Sequence, residues 1–243
     1  MVIHIEELSK HYGSAEVLSN LNLDIKKGEF FGLLGPNGSG KTTLISIVTG
    51  IISSSHGKVS ICGLPQNDKK NEYKCQIGLA PQFSALYSEL TMRENLKFFG
   101  SMQGLKGKGL EEQIHFCSDV VQLVDFLDKP VGSFSGGMRQ RANIAVSIMH
   151  KPNILFLDEP TVGVDPQSRN MIFECLREFN RQGMTIIYTT HYMEEAEQLC
   201  SRIGILDHGA IIAQGGVREL MKSHQCEDLG SVFLKLTGKA LRD

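Results

Sequence analysis

The chain has 243 residues, 41% of them hydrophobic and 21% charged, with a formal net charge of −2. That length suits one large α/β domain or two intimate subdomains with a full core. A charge so near zero excludes a global field toward nucleic acid or anionic lipid, and no run approaches the ~18 apolar residues of a membrane-crossing helix. The opening MVIHIEELSK carries acids where a signal peptide carries a basic start and an apolar centre, so a cytosolic chain is expected unless a partner holds it at a membrane. The cysteines at 62, 75, 117, 175, 200 and 226 form no CxxC pair, which reads as free thiols in a reducing compartment.

Val2 to Leu8 alternates and reads as a strand. Glu29 to Leu34 is a second strand, running into the glycine-rich turn Gly35 to Gly40 and a helix from Lys41 to about Thr49. Short strands follow at Val59 to Cys62 and Ile77 to Ala80. From about Ser84 to His150 the periodicity is helical, with helices over Met92 to Met102, Leu110 to Leu123 and Gly136 to His150. Alternation of strand and helix then returns: strand Ile154 to Leu157, helix Gln167 to Arg181, strand Thr185 to Thr189, and helix Glu194 to Cys200. Two short strands near Ile203 to Leu206 and Ala210 to Ala213 follow, and the tail beyond Gly216 reads as a short helix plus an apolar segment, Val232 to Leu236. Buried strands alternating with helices imply a parallel sheet covered on both faces, and the helical block implies an inserted subdomain.

Gly35-Pro36-Asn37-Gly38-Ser39-Gly40-Lys41-Thr42-Thr43 fits the pattern G-x-x-x-x-G-K-[ST] between a predicted strand and a predicted helix. Backbone N–H groups must approach triphosphate oxygens closely, and the three glycines permit it. The helix that follows points its positive end at the anion. Lys41 can reach the β- and γ-phosphates and the Thr42 hydroxyl can bind Mg²⁺. Downstream, the strand Ile154 to Leu157 presents Asp158 and Glu159 at its C-terminal end, where α/β folds place ligands. Asp158 suits Mg²⁺ and Glu159 suits the attacking water.

Ser133-Phe-Ser135-Gly136-Gly137-Met138-Arg-Gln-Arg resembles the signature motif of ABC ATPases, and the resemblance spans nearly the whole chain. It implies further roles. Tyr12 resembles the aromatic that stacks on adenine. Gln82 resembles the glutamine that links the two subdomains and joins the Mg²⁺ site. Asp165, in Gly163-Val-Asp165, resembles the D-loop acid, and His191 the switch histidine. The signature departs from the common pattern at Phe134 and Met138. The implied fold is a P-loop NTPase (RecA-like) parallel-sheet core with a β-rich N-terminal part and an inserted α-helical subdomain. The whole chain, 1–243, is then one ABC ATPase domain. Its core is 1–83 with 151–215, its helical subdomain 84–150, and its C-terminal tail 216–243.

Thr161-Val-Gly-Val-Asp-Pro166, Tyr188 to Glu197 and Val232 to Gly238 resemble ATPases of drug, antibiotic and lipid exporters of the daunorubicin-resistance type. The resemblance implies ATP and Mg²⁺ as cofactors and catalysis by Glu159, His191 and Lys41. Its implied partners are a polytopic membrane permease subunit and a second ATPase domain (the same chain or a paralogue), with no nucleic acid. Two such domains facing head to tail set Ser135, Gly136 and Gly137 of one against ATP bound at Lys41 of the other, on the cytoplasmic face of the membrane. A soluble ABC ATPase acting on DNA or ribosomes usually carries coiled-coil insertions or tandem domains, which are absent here. A membrane-bound motor that moves no solute shares all these residues and stays open. Phe83, Leu86 and Tyr87 read equally as a docking groove or as helical core.

Overall fold

The computed structural model describes residues 1–67 and 72–238, so the last residues of the expected tail, 239–243, lie outside the described residues. The chain divides into two compact units, Met1–Gln76 with Thr185–Asp243, and Ile77–Met184.

In the first unit β1 (Ile3–Tyr12), β2 (Ala15–Ile25), β4 (His56–Ile61) and β5 (Leu64–Pro65) form an antiparallel sheet in the order β2-β1-β4-β5. Ile3, Ile5 and Leu8 alternate into the core, as do Leu21, Leu23 and Ile25 of β2. The sequence pattern alone ends β1 at Leu8 and shows no β2. The reason is local: register shifts break the ladder between Ile5 and Lys10, and Glu7 (φ 49) and Asn20 (φ 44) take left-handed backbone. Such bulges destroy the period of two that marks a strand, while pairing with a neighbour still holds it.

The same unit contains β3 (Phe30–Leu34), β8 (Thr185–Thr190), β9 (Arg202–Asp207) and β10 (Ala210–Gly216). β3 runs parallel to β8 and to β9, and β10 closes the edge antiparallel to β9. Every residue of β3 and β8 is buried, which is why both read as apolar runs without alternation. Helices α1 (Lys41–Val48), α6 (Met193–Leu199), α7 (Val217–Ser223) and α8 (Leu229–Thr237) complete the unit. The apolar tail segment is thus a helix, α8. Asp228 caps it by accepting the Ser231 N–H at 2.7 Å, and Leu229, Val232 and Phe233 are buried. A cap of this kind contributes about 1 kcal/mol.

The second unit contains the parallel pair β6 (Ile77–Ala80) and β7 (Ile154–Asp158) with α2 (Met92–Met102), α3 (Gly107–Val120), α4 (Gly136–Ser147) and α5 (Pro166–Arg181). Thr91 and Glu94 form a reciprocal capping box at the start of α2, which is where the sequence places that start. Helix α3 begins three residues before its expected start at Leu110, because the exposed glycines of Gly107-Lys-Gly109 look like a linker in sequence although the first turn of the helix runs through them. It also ends earlier than Leu123, since Gln122 turns left-handed at φ 56. Cys117 and Cys175 are buried here, and burial pushes both thiols up to about 12.

Candidate functional site

The phosphate loop lies in the first unit between β3 and α1. Gly40 caps α1 at φ 109, a conformation that needs glycine, and supplies no side chain to the first N–H groups of the helix. The loop is pinned from outside by the Gly209 N–H, which donates to the Ser39 carbonyl at 3.1 Å. Lys41 is buried and folds back across the loop, its ammonium donating to the carbonyls of Gly35 at 2.8 Å and Pro36 at 3.2 Å. Ser39 carries a buried hydroxyl with no partner. Asn37, Gly38 and Thr42 are exposed and Pro36 and Thr43 half-buried. An uncapped helix start, a cation and an orphaned hydroxyl together fit a phosphate-type anion.

Tyr12 ends β1 with its ring exposed. The Lys10 ammonium stands 4.9 Å from the ring centroid and donates to the Ser53 carbonyl at 2.6 Å, so one face of the ring is backed by a fixed cation. His191 follows β8 in this unit, half-buried, with the Tyr192 ring 4.2 Å from its own.

The second unit carries the acids. Asp158 is the last residue of β7 and is 4% exposed. Glu159 takes φ 47 directly before Pro160, a strained backbone of the kind that persists where the surroundings over-determine it. The Gln82 side-chain amide donates to Glu159 Oε2 at 3.3 Å, so these two predicted site residues are in direct contact. Among the described residues no group of three or more His, Cys, Asp or Glu could hold a metal by itself. Mg²⁺ that is bound with a nucleotide does not ask for one, since phosphates and waters fill most of its shell.

Ser135 caps α4, accepting the Met138 N–H at 3.2 Å, and Ser135 and Gly136 are exposed at that helix start. Gly137 is buried because α4 meets α5 there: a Cβ on it would run into the Ser168 side chain and come 3.2 Å from an Asp165 carboxyl oxygen. Asp165 in turn caps α5, accepting the Ser168 N–H at 2.9 Å. That N–H, and after it the Ser168 hydroxyl, hold the Asp165 carboxyl below its ordinary range. The helix start at Ser135 to Gly137 and the loop at Asp165 therefore form one packed piece joined at Ser168. Phe134 is buried with its ring edge-on to Phe126 at 6.2 Å, so the departure from the common leucine fills the core under the motif rather than altering its exposed face.

Of the residues singled out after Gln82, Phe83 is 83% exposed and cannot be core, Tyr87 is exposed, and Leu86 is half-buried. Leu86 lines a cavity of about 230 Å³ with Pro81, Ala85, Phe99, Asn143 and His150. Tyr87 packs edge-on to Phe98 at 5.2 Å beside it. Tyr12, the phosphate loop and His191 thus belong to the first unit, and Gln82, Ser135 to Gly137, Asp158, Glu159 and Asp165 to the second. Sequence reasoning overlooked Ser168, Thr190 and Glu195. The one available signal for the last two was a pair of threonines and a tyrosine ending an otherwise apolar strand.

The family model described as ABC transporter matches residues 18–162. The chain is 42% identical over 243 residues to the linearmycin resistance ATP-binding protein LnrL of Bacillus subtilis, covering 100% of this chain and 76% of that protein. It is 39% identical to the Nod factor export ATP-binding protein I of Ralstonia nicotianae, over 90% of this chain and 68% of that one. Its fold matches a dimeric structure of the ATP-binding cassette MJ0796 bound to ADP and Pi with a TM-score of 0.81 and 27% identity, over 88% of this chain and 98% of that chain. With the phosphate loop, the acid pair after β7 and the Ser135-Gly136-Gly137 helix start in place, the chain belongs to the ABC transporter family, as one of its ATP-binding, ATP-hydrolysing subunits.

Proposed function

We propose that this subunit powers export through a separate polytopic membrane protein, and that its complete ATP site is built from two ATPase domains. The observation that carries the second half is the exposed helix start at Ser135 and Gly136, a ready anion site whose neighbour Gly137 is fixed by packing on Ser168. In this reading the helix start meets the γ-phosphate of ATP held at Lys41 of the other domain. Export is supported by the activities for which the two relatives are named, resistance to linearmycin and export of Nod factor.

The chain's own residues divide the work. Backbone N–H groups of Gly38 to Thr43 and the Lys41 ammonium hold the phosphates, and Tyr12 offers its open ring face to the base. By the family resemblance Thr42, Asp158 and Gln82 would hold Mg²⁺, which would neutralise charge on the phosphates. Glu159 orients and polarises the attacking water, and its carboxylate is steadied by the Gln82 amide. His191 donates toward the γ-phosphate, and Asp165 couples the two sites through Ser168. Residues 84–150 act as the helical subdomain, 1–83 with 151–215 as the core and 216–243 as a tail. The exposed Phe83 and Tyr87 beside the Leu86 cavity fit a short apolar helix of the membrane partner. Such docking holds the subunit at the cytoplasmic face, and among the described residues no helix is long and apolar enough to cross a membrane.

The two-domain site is checked by light scattering on Glu159→Gln. The mass is expected to double on adding ATP with Mg²⁺ and to stay monomeric with ADP, because contacts to the γ-phosphate exist only in the closed pair. A monomer at saturating ATP contradicts the composite site.

A further inference from the structure

Close to His191 lies a buried acid that the reaction above does not use. Glu195, on α6, is 2% exposed. Its Oε2 accepts two hydroxyl protons, from Tyr188 at 2.8 Å and from Thr190 at 3.0 Å. Both donors are themselves buried on β8, and the Tyr188 ring is wedged 6.2 Å from that of Phe30. The Thr190 hydroxyl also acts as an acceptor, its oxygen taking the backbone N–H of Tyr192 at 2.9 Å. The residues on either side of His191 are therefore tied to each other across it, by a turn closed through a threonine side chain.

A carboxyl group is costly to bury, and an apolar side chain would pin helix to strand more cheaply. The placement has a specific consequence instead. A hydroxyl that donates to Glu195 has its rotamer fixed and its lone pair aimed at the Tyr192 N–H. Without the acid, that hydroxyl is free to rotate, and the turn carrying the imidazole loses its closure.

We propose that Glu195 is the positioning residue for the switch histidine, acting through Thr190 while Tyr188 fixes the carboxylate, so that the turn 190–192 presents the His191 ring in one orientation. This rests on the reading of His191 as the group that contacts the γ-phosphate. The imidazole then arrives pre-aligned, and loosening it costs rate rather than nucleotide affinity.

The test uses the purified chain, with ATP affinity and single-turnover hydrolysis measured separately. Thr190→Val is expected to hydrolyse ATP about tenfold more slowly with its affinity within about twofold of native. Thr190→Ser, which keeps the hydroxyl, restores the rate. Tyr188→Phe and Glu195→Gln lower the rate in the same direction, and Tyr188→Phe, which keeps the buried ring, decides the matter if the others fail to fold. Adding Thr190→Val to His191→Ala slows hydrolysis no further than His191→Ala alone. A slow His191→Ala beside native rates for Thr190→Val and Tyr188→Phe overturns the positioning role alone. An additive double variant overturns it too, because the network then acts on something other than His191. A native rate for His191→Ala removes the switch-histidine reading and the positioning role with it.

Discussion

Lys41→Ala is expected to weaken ATP binding by roughly 10- to 100-fold and to abolish turnover. Its ammonium is the only side-chain cation in the phosphate loop, and it is buried, spanning the loop to the Gly35 and Pro36 carbonyls. A charge-assisted hydrogen bond contributes ~1.5–3 kcal/mol, so binding alone weakens by roughly 10- to 100-fold. Charge on the phosphates is then also left uncompensated during transfer, which costs about another 10²–10³ in rate. The substitution also frees two loop carbonyls, so Lys41→Met, which keeps the aliphatic stem, separates lost charge from a collapsed loop. Binding is read with a fluorescent ATP analogue and turnover by phosphate release. Native turnover in both variants contradicts the assignment of the phosphate loop.

Glu159→Gln is expected to separate binding from chemistry. Glutamine is nearly isosteric, and its carbonyl oxygen can still accept the Gln82 amide that contacts Glu159 at 3.3 Å. The backbone at φ 47 asks the same of either residue, so little change in stability is expected. What is lost is the anion that polarises water, worth about 10²–10⁴ in rate for a general base. ATP affinity should stay within about twofold, because Glu159 is assigned no ground-state phosphate contact. Equilibrium binding and single-turnover hydrolysis check the two halves, and hydrolysis near the native rate contradicts the role of Glu159.

How much of this was legible in the sequence depended on how local the physics was. The phosphate loop and the acid pair are short motifs whose residue types are forced by phosphate chemistry, and they stood out unaided, whereas the signature was legible through its resemblance to the ABC ATPases. Helix α2 was placed at its observed bounds, Met92–Met102, from its helical periodicity, and the capping box of Thr91 and Glu94 is what fixes that start in the structure. Strand β2 was invisible because its bulge at Asn20 breaks the alternation and only pairing with β1 holds it. The packing of Gly137 on Ser168 could not be read either: the glycine looked like a phosphate-binding residue alone, and the second reason for it lies 31 positions away along the chain. The turn 190–192 was hidden for the same reason, since Glu195 acquires meaning only when α6 folds back under β8.

The central claim is a motor subunit working on a separate membrane protein. It is tested most directly by expressing tagged Glu159→Gln in the native host, extracting membranes with detergent in the presence of ATP, and identifying what co-purifies. A polytopic membrane protein in stoichiometric amount is the expected result, and its loss on replacing Phe83 and Tyr87 by serine would place the contact at the proposed groove. Recovery of ribosomal proteins, DNA or only water-soluble partners, with nothing polytopic, would contradict the account.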